Sequence, residues 1–359
     1  MFRPKFRVTA GIRAALRRIE GSKRAVAELR IAGPALQRLR ETALLATTHF
    51  STRIEGNRLT LPEVRAVSQG ARVEGRERDE SEVRNHFRAM AKMERLAADA
   101  GPIAEVEVKR LHGLVMTGRH RASPYRTSQN AVRDAGSRRL VYLPPEAKDV
   151  PSLMRELADW INAGLASPET PAPVAAALAH YQFATIHPYL DGNGRTARLL
   201  ATLILGKAGY GLQGVYSLDE HYAADLPAYY AALAVGSHNY YEGRAEADVT
   251  HFVAYFCAGM ADAFASVEAA ARTPASAAPR GGIALRDVDP RQRRLLGLFR
   301  RQGSATSAEM AKALKMSPRT LAQLARDWVA SGFLATQNAA RKNRSYKLGE
   351  AFQALAEGR

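Results

Sequence analysis

The sequence predicts a mainly α protein with one β-hairpin and a small helix-turn-helix module towards its C-terminal end. Three observations carry that reading. Ala and Leu dominate and β-branched residues are sparse, which favours helix. Apolar positions recur at helical spacing through most of the chain. Only one stretch in the first 280 residues, around Asn130 to Leu143, changes to two short segments about an Asp/Gly/Ser turn. With 359 residues there is room for two or three domains, and a hydrophobic fraction of 46% supports a sizeable core rather than disorder.

Taken in order, Ile12 to Arg30 is charged and helix-permissive, a surface helix. Leu36 to Glu55 is a stronger helix, with Leu36, Leu39, Leu44 and Leu45 as its apolar positions and Gly56 as a left-handed stop. Leu61 to Gly70 and Glu80 to Ala98 follow, separated by a charged turn, Arg72 to Asp79. Val106 to Met116 is the next helix, and its His112 reads as structural. The hairpin then pairs Asn130–Arg133 with Arg139–Leu143 and is ended by Pro144-Pro145. Pro151 to Ala163 sets Leu153, Leu157, Trp160 and Ile161 on one face. Two apolar runs, Val174 to Thr185 and Thr196 to Lys207, form a central pair; His180 on the first reads as packed or exposed rather than reactive. Leu226 to Ser237 and Thr250 to Val267 complete this region.

Glu268 to Pro290 is rich in Ala, Pro, Gly and Ser and reads as a linker. Beyond it, Arg291–Arg301, Ser307–Lys315 and Pro318–Ser331 are helical, with Ser307 and Ser317 as N-caps. Two short segments, Phe333–Gln337 and Ser345–Leu348, flank a basic loop. The predicted domains are a helical region, 1–110, holding a helix of about 36–56; a core, 111–267; the linker, 268–290; and the C-terminal module, 291–359.

The formal charge is +17, and Arg291 to Arg359 carries fourteen Arg and Lys against four Asp and Glu, or +10. That concentration points to a nucleic-acid-facing module. A single cysteine, Cys257, excludes an internal disulfide framework and a Cys-based zinc site; a reducing, cytoplasmic compartment is expected. Cys257 sits in an apolar run as a small hydrophobe. Arg3, Lys5 and Arg7 are followed by no apolar segment, so no secretory signal is expected. The longest apolar run, Leu199 to Leu205, is too short to cross a bilayer, and no membrane association is expected.

The chemistry concentrates in His187-Pro-Tyr-Leu-Asp-Gly-Asn-Gly-Arg-Thr-Ala-Arg198, the loop between the two central helices. Gly192 and Gly194 allow a sharp turn and close backbone approach to a ligand. The N–H groups of Asn193, Gly194 and Arg195 fall at a helix start, where unpaired donors and the dipole favour an anion. Arg195 and Arg198 share a helix face and suit phosphate oxygens. Asp191 offers a hard oxygen for Mg²⁺, which binds through one or two carboxylates plus substrate phosphates. His187 has the pKa range of a general base.

This stretch resembles the signature of the Fic family, His-Pro-Phe-x-Asp/Glu-Gly-Asn-Gly-Arg-x-x-Arg, with Tyr189 in place of the usual Phe. The resemblance implies transfer of AMP from ATP to a Ser, Thr or Tyr hydroxyl of a target protein. His187 would be the base, Asp191 the Mg²⁺ ligand, and Gly192, Asn193, Gly194, Arg195 and Arg198 would bind the phosphates. It implies that the hairpin is the flap that holds the target segment. It also makes Tyr229, Tyr230 and Asn239 candidates for the adenine.

Ser51-Thr-Arg-Ile-Glu55-Gly56 resembles the family's inhibitory motif, Ser/Thr-x-x-x-Glu-Gly/Asn. Ser51 and Glu55 are one turn apart, and a Glu closing a helix opposes the dipole and needs a cation. The resemblance names that cation as Arg198 and puts Glu55 where the γ-phosphate would lie. Two other readings stay open: a transcriptional regulator that senses nucleotide without turnover, and removal of AMP at the same site with Glu55 orienting water. The order of three helices and two strands after residue 290 resembles the winged helix-turn-helix family. It implies Arg319, Gln323, Arg326, Arg341, Lys342 and Arg344 as contacts to duplex DNA. A homo-oligomer is compatible with the sequence, which names neither the target nor the oligomeric state.

Overall fold

The computed structural model describes residues 2–29, 31, 33–133, 137, 139–166, 170–272, 288–314, 316–338, 344–349 and 352–353. The chain forms two compact units, Met1–Arg272 and Thr273–Arg359. The region before residue 110 and the region after it lie together in the first.

The first unit opens with α1 (Ala10–Glu28), capped by Thr9, whose Oγ1 accepts the Ile12 N–H. Ile12, Ala15, Ile19, Ser22 and Val26 bury one stripe at helical spacing. That stripe packs on α12 (Thr250–Arg272), the last helix of the unit. Between them come α2 (Gly33–Ile54), α3 (Leu61–Ser68), α4 (Glu77–Ala98) and α5 (Glu105–Thr117). Thr60 and Glu63 form a reciprocal capping box at α3. Gly118, at φ 67°, closes α5.

The hairpin pairs β1 (Val132–Arg133) with β2 (Leu140–Tyr142), antiparallel, Val132 opposite Tyr142 and Arg133 opposite Leu140. Of its expected turn, 134–137, residues 134–136 lie outside the described residues. Then follow α6 (Val150–Ala166), α7 (Ala172–Ile186) and α8 (Asn193–Lys207). α7 is buried on nearly every face, as a helix must be that is apolar all round. α6, α8 and α12 pack against it, and α4 and α5 cover α8. Two short helices were not anticipated, α9 (Asp219–Ala224) and α11 (Tyr241–Ala245); each is too brief to show a period. α10 (Leu226–Leu233) ends before Ser237, where the sequence had suggested.

α12 corrects one expectation. It is long and apolar enough to cross a membrane by length and composition, although Leu199–Leu205 is not. Half of its apolar window is buried in the core of the unit, where Phe252, Phe256 and Phe264 are sealed from solvent. Cys257 lies on the same buried face, and burial pushes its thiol up to about 12.

The second unit holds α13 (Pro290–Gln302), β3 (Ser304–Thr306), α14 (Ser307–Leu314), α15 (Pro318–Ala330), β4 (Leu334–Asn338) and β5 (Ser345–Leu348). The strands form an antiparallel sheet in the order β3-β5-β4. Two strands were expected; β3 adds a third, three residues long and hidden by the helical pattern around it. Ser307 is not the cap of α14. Thr306 and Glu309 exchange the capping hydrogen bonds. Leu295, Phe299, Met310, Leu321, Trp328 and Phe333 form the core. Most of the predicted linker, 273–287, lies outside the described residues.

His86 and His180 are fully buried in the first unit, and burial lowers both to about 3. Each titrates near 6.5 when unfolded, so below that value the unfolded chain binds protons that the folded chain refuses. Stability therefore falls as pH drops from about 7 towards 5. The loss should be on the order of 1–2 kcal/mol per histidine. Urea unfolding at several pH values measures it; equal midpoints at pH 7 and pH 5 would contradict it.

Candidate active site

α7 ends at Ile186, and His187 caps it in the left-handed region, at φ 51° and ψ 59°, with its N–H bonded to the Phe183 carbonyl. Few non-glycine residues adopt that conformation. Here it turns the imidazole back so that Nδ1 lies 3.2 Å from the Ala184 carbonyl. A carbonyl only accepts, so Nδ1 carries the proton and Nε2 keeps its lone pair. Burial lowers the His187 pKa below its ordinary value, which keeps the ring neutral near pH 7. The arrangement presents a base at Nε2.

The loop after His187 is locked by its own polar groups. Asn193 is buried, and its side chain accepts the Tyr189 N–H at 2.9 Å and donates to the Tyr189 carbonyl at 2.8 Å. The Tyr189 ring stacks on His112, with centroids 3.5 Å apart. His112 donates from Nε2 to the Asp191 carbonyl at 2.9 Å, and burial lowers its pKa to about 4. From the other side, Arg126 reaches the carbonyls of His187, Ser128 and Pro145. Asn193 thus holds the loop with its side chain, leaving only its backbone N–H for an anion.

Gly192, at φ 77°, starts α8; a Cβ there would lie 2.6 Å from Met116 Sδ. The first backbone bond of the helix runs from the Thr196 N–H to the Gly192 carbonyl. The N–H groups of Asn193, Gly194 and Arg195 precede it, at the positive end of the dipole. Gly194 is helical, not a turn residue as expected. Its missing Cβ serves close approach instead: a Cβ there would collide with Glu55 Oε1.

Both arginines are buried and anchored. Arg195 pairs with Glu82 and lies 3.4 Å from Asp191 Oδ1. Arg198, its side chain 2% exposed, donates from Nε to Ser51 Oγ at 3.1 Å and from Nη2 to the Ser51 carbonyl at 2.8 Å. Asp219 Oδ1 stands 2.8 Å from Nε, and Glu55 Oε1 3.1 Å from Nη2. α2 stops at Ile54, one residue short of the predicted end, and Gly56 turns at φ 93°. Glu55 therefore leaves the helix and reaches over the start of α8. Arg58, the next cation after it in sequence, pairs with Asp79 instead.

Asp191 accepts the Gly192 N–H on Oδ1, while its side chain is 59% exposed. Among the described residues no group of three His, Cys, Asp or Glu side chains is placed to hold a metal. One exposed carboxylate suits an ion that arrives with phosphates rather than a resident one.

The hairpin is tied to the last turn of α7 and to the segment after α10. Tyr142 donates its hydroxyl to the Thr185 carbonyl at 2.7 Å, and Arg244 covers the Tyr142 ring. Leu143 donates its N–H to the Asn239 carbonyl at 2.7 Å. Leu140, Val141 and Leu143 stay exposed.

The adenine candidates divide. Tyr229 is buried under Tyr222, with its hydroxyl on His180 Nε2 at 2.9 Å, so its ring is core rather than a stacking platform. Tyr230 is half exposed and Asn239 exposed. Three anchoring residues were missed: Glu82, Asp219 and Arg126. Glu82 and Asp219 carry no sequence signal, because their partners lie far along the chain. Arg126 stands just ahead of the hairpin and belongs to no motif.

In the second unit, Arg319, Gln323 and Arg326 lie on the exposed face of α15, opposite buried Leu321, Ala325 and Trp328. Arg344 is exposed beside β5, while Arg341 and Lys342 lie outside the described residues.

Residues 102–205 match the family model described as Fic/DOC family. The protein adenylyltransferase Fic of Drosophila willistoni is 31% identical over 194 residues, 54% of this chain and 38% of that protein. That of Drosophila melanogaster is 30% identical over 197 residues, 54% of this chain and 39% of the relative. The chain thus spans less than half the length of the curated relatives it matches. A crystal structure of a Fic family protein from Desulfovibrio desulfuricans G20 superposes with a TM-score of 0.63 at 26% identity, covering 97% of this chain and 99% of that one. Fic-1 from C. elegans superposes with a TM-score of 0.57 at 26% identity, over 72% of each chain. Together these are likenesses to Fic family proteins.

Proposed function

We propose that the chain is a protein adenylyltransferase, moving AMP from ATP to a Ser, Thr or Tyr hydroxyl of a target protein, and that Glu55 inhibits it. One observation carries the reading: His187, at the end of α7, keeps a proton-free Nε2, and the loop it begins runs to the N-terminus of α8, which bears two anchored arginines. The named activity of the Drosophila relatives supports it.

The target hydroxyl enters along the hairpin. His187 Nε2 takes its proton as the oxygen attacks the α-phosphorus. The new O–P bond forms while the bond to the bridging oxygen breaks, and pyrophosphate leaves. The N–H groups at the start of α8 and the Arg195 guanidinium donate to the phosphoryl oxygens as charge builds there. Arg198 holds the γ-phosphate. Asp191 would hold a divalent cation, of which Mg²⁺ suits an oxygen donor set best; it would neutralise phosphate charge. Glu55 blocks this arrangement, because its carboxylate lies on Arg198 and over Gly194. The lone, buried Cys257 supports a reducing, cytoplasmic setting.

ATP labelled at the α-phosphorus tests the reading by the label retained on protein. Glu55→Gly should label well above wild type, since a misplaced phosphate costs about 10²-fold in rate. The gain should vanish in Glu55→Gly, Arg198→Ala. His187→Ala in the Glu55→Gly background should lose about 10²–10⁴-fold. Equal labelling of wild type and Glu55→Gly would remove the inhibitory role. If Glu55→Gly instead loses the ability to strip AMP from a modified target, Glu55 serves removal.

The pH profile supplies a second check. Burial lowers the His187 pKa, so its base form persists below the ordinary imidazole range. The acid limb of kcat/KM for Glu55→Gly should therefore fall below pH 6.5. A limb centred above that value would point to another base.

We further propose that the second unit is a winged helix that binds duplex DNA. Its three helices, three-stranded sheet and exposed α15 cations support this, as does the +10 charge from Arg291 on. Mobility-shift titrations of the full chain should show binding that weakens steeply with salt. Arg319→Ala should lower the salt slope by about one unit. No complex with duplex at low salt would make the unit a protein-interaction module.

A further inference from the structure

A cavity of about 270 Å³ lies between α2, α4, α8 and the 3₁₀ turn Leu212–Gly214. That is room for roughly nine waters. Its walls are chiefly apolar, with Leu44 from α2 and Met90 and Met93 from α4. Two polar groups interrupt them. Tyr216 lines the cavity, and its hydroxyl is buried without a hydrogen-bond partner among the described residues. Asp219 also lines it, and its carboxylate is the one that stands 2.8 Å from Arg198. A mostly apolar pocket with a few convergent polar groups is the usual form of a small-molecule site.

The local charge selects the ligand. Asp219 and Glu55 are two carboxylates sharing one guanidinium, Arg198, so one negative charge is uncompensated whenever both are ionised; burial raises the Asp219 pKa, and a cation in the cavity offsets that cost. Arg40 and Glu94, both exposed lining residues, cancel one another. A cation is therefore favoured, provided that it carries an apolar body for the walls.

We propose that this cavity is a regulatory site for a small, chiefly apolar amine. The ammonium hydrogen-bonds Asp219 and the Tyr216 hydroxyl. By drawing on Asp219 it loosens the hold on Arg198. α2 conveys the same event, since it supplies both the Leu44 wall and the Ser51 contacts to Arg198. Binding itself stands apart from the proposed transfer activity; only its effect on Arg198 rests on that reading.

The test uses the full chain and three probes of one shape: 2-phenylethylamine, 2-phenylethanol and phenylacetate. Thermal midpoint is read against probe concentration, and ¹³C-methyl methionine spectra report Met90 and Met93. The amine should raise the midpoint saturably, bind at least tenfold tighter than the alcohol, and shift both methionine methyls; the acid should do neither. Ala43→Met, which fills the cavity, should abolish binding. Tyr216→Phe keeps the shape and should weaken the amine while leaving the alcohol unchanged. Equal affinity for amine and alcohol would overturn the proposal. So would methionine signals that stay still at saturating amine, even if Ala43→Met fails to fold.

Discussion

The buried charge of Arg198 is the constraint on which this fold turns. A guanidinium taken out of water must be met by hydrogen bonds and opposite charge, or the helix that carries it does not form where it does. Three residues from two elements meet that demand: Ser51 and Glu55 from α2 and its end, and Asp219 from the start of α9. These residues are far apart in sequence, so one cation fixes how the N-terminal helices sit on the central pair. The segment from Ser51 to Glu55 is therefore no appendage. It is part of what satisfies the buried charge of the first unit.

The loop from His187 to Gly192 is held by a different economy, almost wholly of backbone carbonyls. Arg126 gathers three of them, Asn193 takes one, His112 another, and Ala184 fixes the His187 tautomer. Side chains that grip carbonyls define where a main chain runs, and they do not compete for the N–H groups at the start of the next helix. At the start of α8 the N–H groups of Asn193, Gly194 and Arg195 precede the first helical bond. Rigidity of the loop and openness of the site thus come from the same division of labour between donors and acceptors.

How much of this could be read beforehand follows from range. The central motif is contiguous, so its residue types and spacing singled out the histidine, the helix start and the two arginines that the fold brings together. Glu55 was legible because a carboxylate ending a helix needs an explanation that local sequence did not supply. Glu82 and Asp219 were not, since each is an ordinary acidic residue until a fold brings it to an arginine more than a hundred or twenty residues away. Tyr229 misled for the converse reason. An aromatic pair on a short helix looks alike whether a ring faces ligand or core, and burial against Tyr222 and His180 decided it. β3 escaped because three residues show no period.

The absent side chain of Gly194 sets the terms of a competition. The space it leaves holds a carboxylate oxygen of Glu55, and on the proposed reading a phosphate oxygen needs the same space. The two are mutually exclusive, but they differ in molecularity. Glu55 is tethered through α2, so its effective concentration there is constant, in the millimolar range for short tethers or above it. Nucleotide must come from solution. Inhibition of this kind is a threshold on nucleotide supply rather than a lock, and any event that lengthens or loosens the tether lowers the threshold without touching a catalytic atom.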